Sequence, residues 1–237
     1  MASADTGVLM DPKELAGRRA AQFVKDGMIV GLGTGTTASW AVRELAERVK
    51  NKEVKDVHCI CTSTATRELA DELGLSIRGL EDVEGVDLTI DGADQVDDDL
   101  RLIKGAGGAL LREKVVAFSS DEMIIVIDES KLTKQLGLGV PVPVEVIPFA
   151  EAVVRQALSN FGAEVEIKME PDGDDPLITD NDNLILDCLF PEAFDAKRME
   201  REIKRIPGVV ENGLFVDMTD RLVVGRADGS AEVIDAI

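Results

Sequence analysis

Residues 28–38 read MIVGLGTGTTA. A short apolar run passes into glycines and threonines, and a helix pattern follows with Ala38, Ala41, Val42, Leu45 and Val49 on one face. A strand this short and this apolar needs cover on both faces, which selects a parallel sheet between helices. The alternation recurs down the chain. VHCIC (57–61) reads as a second strand, before a helix over 64–73 that stops at Gly74. VDLTI (86–90) is a third, and LI (102–103) ends a short one. A helix over 108–118 and the buried strand MIIVI (123–127) follow. Upstream, Asp11-Pro12-Lys13-Glu14 opens a helix, with Asp11 as cap, Pro12 at the first position and Glu14 reaching back as in a capping box. The expected class is α/β, a mostly parallel sheet in Rossmann-like layers.

The pattern changes after Lys131. GVPVPVEVIP (139–148) is broken by prolines and reads as a crossing segment, not a central strand throughout. A helix over 149–160, strands over 163–168 and 183–190, a helix over 194–206 and a strand over 209–216 come next. That order suits a smaller α+β unit of the split βαβ, ferredoxin-like kind. RLVVGRADGSAEVI (221–234) reads as a hairpin around Asp228-Gly229-Ser230. The expected division is a larger unit from 1–137 with 216–237, and an inserted unit over 138–215. EPDGDDP (170–176) and TDNDN (179–183) read as solvated acidic turns.

Charge narrows the function. Asp plus Glu number 46 against 26 Lys plus Arg, a net charge of −20. No basic face is on offer for nucleic acid or an anionic membrane. The acid is spread along the chain, as expected of a surface adapted to high salt. Three cysteines (Cys59, Cys61, Cys188) give no disulfide framework, and a reducing cytoplasm is expected. One histidine, His58, with a Cys-x-Cys does not make a zinc site. No apolar run approaches about 18 residues, and the N-terminus lacks the signal-peptide pattern.

Four polar motifs each follow a strand: GTGTT (33–37), DGAD (91–94), KGAG (104–107) and DESK (128–131). Ligands bind beyond the carboxyl ends of parallel strands, so the four converge on one crevice. In the first, glycines admit an anion to a helix N-terminus, and Thr34, Thr36 and Thr37 add hydroxyls. A phosphate fits. A dinucleotide fingerprint is the rival, but Thr36 stands where its third glycine belongs, and the second strand ends in Thr62, Ser63 and Thr64 without the ribose-binding acid. A purely structural turn also remains open. DGAD is balanced between a carboxylate pair that handles hydroxyls and a capped turn. Asp97, Asp98 and Asp99 read as solvated charge. KGAGGALLREK places Arg112, Glu113 and Lys114 on an otherwise apolar helix. Charge there must be paired or functional, and periodicity does not single out one of the three. Burial would raise a carboxylate towards a useful base.

With those motifs in place, the chain resembles the type A ribose-5-phosphate isomerases. The resemblance runs through VGLGTGTTA (30–38), DGAD (91–94), LIKGAGGALLREK (102–114), ESK (129–131), PVPVEVIPFA (141–150), TDNDNLILD (179–187) and IPGVVENGLF (206–215). It implies interconversion of D-ribose 5-phosphate and D-ribulose 5-phosphate through a cis-enediol(ate), in the non-oxidative pentose phosphate pathway, without metal or organic cofactor. It implies an inserted small α+β domain and a homodimer or homotetramer. The family's substrate turn falls on Thr34, Gly35, Thr36 and Thr37. Its aspartate loop falls on Asp91, Gly92, Ala93 and Asp94, and its lysine loop on Lys104, Gly105, Ala106 and Gly107. Its base falls on Glu113, and a further substrate-binding lysine on Lys131. Asp91 is the candidate to assist ring opening, with Glu113 and Lys104 carrying the proton transfer and the developing charge. Thr36 replaces the usual Ser, Ala106 a glycine, and Glu129 a small residue. Rival readings are a sugar-phosphate-sensing regulator, an acyl-CoA transferase with Glu113 as nucleophile, and the dinucleotide enzyme weighed above.

Overall fold

The computed structural model describes residues 10–171 and 173–236. In chain order its first elements are α1 (Pro12–Ala21), β1 (Ile29–Leu32), α2 (Ala38–Lys50), β2 (His58–Cys61), α3 (Thr64–Glu72) and β3 (Leu88–Gly92). Then come β4 (Gln95–Val96), β5 (Leu102–Ile103), α4 (Leu110–Phe118), β6 (Met123–Asp128), β7 (Val142–Val146), α5 (Glu151–Asn160), β8 (Glu164–Ile167) and β9 (Leu184–Leu189). The chain closes with α6 (Ala196–Lys204), β10 (Val209–Asn212), β11 (Leu214–Phe215), β12 (Arg221–Gly225) and β13 (Ala231–Asp235).

Three sheets result. The six-stranded sheet runs β13-β12-β6-β3-β1-β2, parallel except for the β12–β13 hairpin. β1 has β2 on one side and β3 on the other, so the winding reverses beside β1. That switch point is where the ends of two strands leave a crevice. One face of the sheet buries Val30, Leu32, Leu88, Ile90, Ile124 and Val126 against Ala16, Ala20, Ala41, Val42 and Leu45 of α1 and α2. Each large side chain taken fully out of water contributes about 1.5–3 kcal/mol. Asp11 caps α1 through the Lys13 N–H at 2.8 Å, as the sequence implies. Glu14 does not close a capping box; it pairs with Arg18 one turn on.

The second sheet runs β10-β7-β9-β8, all antiparallel, with α5 and α6 between its strands in the chain. This is the ferredoxin-like arrangement. It has its own core of Val142, Val144, Val146, Val154, Leu158, Leu186 and Ile203. Here the expectation for 139–148 holds only in part: the strand does not run throughout, but its middle is central. β7 is an interior strand, and Pro143 sits inside it. The reason lies at Gly213. Its N–H donates to Pro143 O at 2.7 Å, while its carbonyl turns away and accepts the Lys104 N–H at 2.8 Å. The missing proline N–H therefore faces a carbonyl that is already engaged.

The third sheet, β11-β5-β4, was not expected as a unit. The single strand read over 209–216 breaks at Gly213, with β10 in the second sheet and β11 in the third. A side chain at 213 would place its Cβ 2.2 Å from Lys104 O, so only glycine fits this crossing. Two acidic readings also change. Asp97 is buried in the β4–β5 turn and holds Arg101 at 2.7 Å, while Asp98 and Asp99 are exposed. In 179–183, Thr179 and Asn183 are buried, and Glu145 Oε1 accepts from Thr179 Oγ1, Asn181 Nδ2 and Asn183 Nδ2.

Candidate active site

The crevice is built from the chain outward. β1 ends at Leu32, and Gly33 lets the β3 terminus close in: a Cβ on Gly33 would stand 2.1 Å from Asp91 Oδ1. Gly35 then takes a φ of +111° and turns the chain into α2. No side chain caps α2, whose N-terminus faces the cleft through Gly35, Thr36 and Thr37. An uncapped start of a helix this long suits an anion.

The cleft, counted with the solvent-open space at its mouth, spans about 560 Å³. Lining it are Thr34, Gly35, Thr36, Thr37, Gly92, Ala93, Asp94, Lys104, Gly105, Ala106, Gly107, Glu113 and Lys131. Thirteen of the fourteen residues expected from sequence thus share one cavity. Asp91 is the exception. It is wholly buried beneath the floor, where its Oδ1 accepts the Gly92 N–H at 2.7 Å and the Thr34 N–H at 3.1 Å. Thr34 also differs from expectation. Its hydroxyl meets those of Thr62, Ser63 and Thr66 at 2.8–3.1 Å and is spent within the protein.

Lys13 lines the cleft too and was not singled out from sequence. Its Nζ stands 3.4 Å from Thr36 Oγ1. The signal was there in part, as a lysine in the first turn of a capped helix. Its reach to Thr36 depends on α1 packing against α2. Lys131 comes in on the turn after β6, where Asp128 Oδ1 accepts the Ser130 N–H at 2.9 Å. Glu129 ties that turn to the β12–β13 hairpin through the Ala227 N–H at 3.0 Å and Arg226 at 3.2 Å.

Lys104 arrives differently from the other motifs. It follows β5 of the third sheet, not a strand of the parallel sheet. Its Nζ donates to Gly92 O at 2.6 Å and stands 3.0 Å from Asp91 Oδ2 and 3.4 Å from Glu113 Oε2. Burial works against its ammonium, but Asp91 and Glu113 outweigh that and raise its pKa. Burial pushes the Asp91 carboxyl up, against the pull of Lys104 and the two N–H donors. Glu113 is pushed up to about 8, first by burial and then by the Asp91 carboxylate, with Lys104 pulling the other way. One buried cation faces two buried carboxylates, so a proton held on Glu113 near neutral pH balances the charge. A base poised near the working pH can both take and return a proton. Asp94 Oδ2 accepts the Ala106 N–H at 2.9 Å, which fixes the KGAG turn against DGAD.

Among the described residues, no group of three His, Cys, Asp or Glu side chains converges as metal ligands. No helix of the described residues is long and apolar enough to cross a membrane. His58 Nδ1 meets Ser76 Oγ at 2.9 Å, away from the cleft.

Comparison with known proteins follows the same lines. The family model for ribose 5-phosphate isomerase A (phosphoriboisomerase A) matches residues 58–229. The ribose-5-phosphate isomerase A of Bacillus mycoides is 44% identical over 94% of this chain and 100% of its own length. That of Pyrococcus abyssi is 43% identical over 92% and 95%. A solved D-ribose-5-phosphate isomerase in complex with phospho-erythronic acid superposes with a TM-score of 0.92 at 40% identity, covering 95% of this chain and 100% of the other. The ribose 5-phosphate isomerase A of Methanocaldococcus jannaschii gives 0.89 at 42% identity, over 94% and 97%. The fold, the match over most of the chain and the relatedness in sequence agree, and the chain belongs to the ribose 5-phosphate isomerase A family.

Proposed function

We propose that this enzyme interconverts D-ribose 5-phosphate and D-ribulose 5-phosphate with Glu113 as the base and Lys104 as the electrostatic partner. One observation carries the residue roles: a cleft-facing carboxyl pushed up to about 8, with an ammonium 3.4 Å away. The sugar ring opens to expose the C1 aldehyde. Glu113 takes the C2 proton, and the electron pair moves to O1 as the enediolate forms. The Lys104 ammonium stabilises that oxygen, a fixed donor of the kind that supplies much of a catalytic effect. The O2 hydroxyl proton then passes to O1, and Glu113 returns its proton to C1 as the C2 oxygen becomes the ketone.

Asp91 acts through Lys104 in this reading, holding the ammonium in place from below the floor. Ring opening passes to Asp94, which lines the cleft. The α2 N-terminus with Thr36, Lys13 and Lys131 holds the phosphate. The phospho-erythronic acid in the relative's structure, a sugar phosphate that carries a carboxylate, supports a cleft that accepts both groups. The reading includes a division at 138–215, a homodimer or homotetramer in the cytoplasm, and salt adaptation through exposed carboxylates such as Asp98 and Asp99. An unfolding midpoint that fails to rise with added KCl would remove the last of these.

The test is an isomerase assay on ribose 5-phosphate in EDTA, with Glu113→Gln beside the parent. The parent keeps its activity in EDTA, and the variant loses it. Full activity in the variant would overturn the base assignment, and loss of the parent's activity in EDTA would overturn metal-free chemistry.

A further inference from the structure

Arg112, Glu113 and Lys114 leave one turn of α4 in three directions. Glu113 turns to the cleft. Arg112 reaches loop 179–183, where Nε donates to Asn181 Oδ1 at 2.9 Å and a terminal nitrogen donates to Asp180 O at 2.6 Å. Lys114 turns to the β10–β11 crossing. Its Nζ donates to Glu211 Oε1 at 3.0 Å, Asn212 O at 2.6 Å and Leu214 O at 2.9 Å. An ammonium has three donors, and Lys114 places all of them on one short segment. It also lies 4.8 Å from the Phe215 ring centroid.

The same segment holds Lys104. Gly213 O accepts the Lys104 N–H, and the Lys104 ammonium stands 5.4 Å from the same ring of Phe215. Residues 211–215 are therefore bonded both to the neighbour of Glu113 and to Lys104 itself. Yet among the described residues none from 138–215 lines the cleft. The second sheet and its crossing strand touch the chemistry only by holding its two charged groups.

We propose that Lys114 is a positioning residue: by pinning α4 to the 211–214 segment it fixes the Glu113 carboxylate against Lys104 and the substrate carbons. This rests on Glu113 being the base. Adjacent helical residues share one rigid turn, so a roll of α4 that breaks the Lys114 bonds also swings Glu113. A displacement of about 1 Å at a reacting group costs up to about a hundredfold in rate. Packing alone does not call for an ammonium here, because an apolar side chain of equal length fills space without the cost of burying charge.

Lys114→Met removes the ammonium and keeps the stem. The expected result is a kcat lower by about tenfold or more, with KM for ribose 5-phosphate within about twofold of the parent. The acid limb of kcat/KM should also move to lower pH, because a loosened Glu113 regains water. The charged groups facing Glu113 are Lys104, Asp91 and Asp94, and those facing Lys114 are Glu211, Glu200 and Lys204. Glu113→Gln in the same assay reports separately on the base: full activity there defeats that assignment whatever Lys114→Met does. A folded Lys114→Met with kcat and acid limb unchanged overturns the positioning role, and so does a raised KM at constant kcat. Should Lys114→Met not fold, Lys114→Met with Glu211→Gln removes the pair's charges together and is read the same way. Loss of the fold in both assigns Lys114 to stability alone and overturns the proposal.

Discussion

Replacing Glu113 with Gln should lower activity and raise stability, and the gain should depend on pH. The side chains are isosteric, so packing under the cleft is kept. In the folded protein burial holds the Glu113 proton up to about 8, whereas the ordinary value is 4.5. Its folded pKa is thus raised. Whatever the group contributes is fully present below pH 4.5 and is lost as pH rises towards 8, because the unfolded chain ionises first. Gln has no such penalty. The interval from 4.5 to about 8, at about 1.4 kcal/mol per pH unit, sets a ceiling of about 5 kcal/mol. Relaxation of the site around the ionised carboxylate lowers the realised cost, so about 2 kcal/mol is the working figure. For a chain of this size that is about 4–8 °C in Tm. The assay is thermal unfolding of parent and variant at fixed salt, from about pH 4.5 to about 9. The Tm gap should open with rising pH and level off above about 8, while kcat falls by about a thousandfold. A gap that stays flat, or closes as pH rises, would refute the claim that burial penalises this carboxylate.

Other substitutions probe the surrounding parts. Lys104→Met should lower kcat by about a hundredfold and move the acid limb of kcat/KM to higher pH, since Lys104 is the cation that pulls Glu113 down. Lys13→Ala and Lys131→Ala should each raise KM for ribose 5-phosphate by about tenfold, the effect of one charged contact, with little change in kcat under saturating substrate. Gly33→Ala drives a methyl into the Asp91 carboxyl and should cost about 1–3 kcal/mol of stability, read from urea unfolding, with activity lost in the folded fraction.

Much of this was legible in the chain because local pattern carried it. Apolar runs followed by glycine and helix gave the parallel sheet, and the turns after β1, β3 and β6 fell where the motif order placed them. Lys104 shows the limit. Its place in the crevice was foreseen, but it stands on a two-residue strand paired with β4 and β11, and so short a strand has no periodicity to read. Pro143 misled for a related reason. Proline is excluded from interior strands only where a neighbouring carbonyl is left waiting for the N–H it lacks, and Gly213 gives its carbonyl to Lys104 instead. Asp97 and Thr179–Asn183 looked like solvated loop because their partners, Arg101 and Glu145, are contacts of the folded chain. The helical charge at 112–114 could be recognised as requiring partners. Only the structure separates the residue facing the cleft from the two that dock α4.

The most direct test of the account is isomerisation in D2O with EDTA, followed by NMR of the product. If Glu113 takes the C2 proton in a cleft open to water, some of its proton exchanges, and ribulose 5-phosphate formed by the parent carries deuterium at C1. Glu113→Gln should form no deuterated product above the uncatalysed rate. Complete retention of the C2 hydrogen in the parent's product, or equal deuterium uptake with Glu113→Gln, would contradict proton transfer through Glu113.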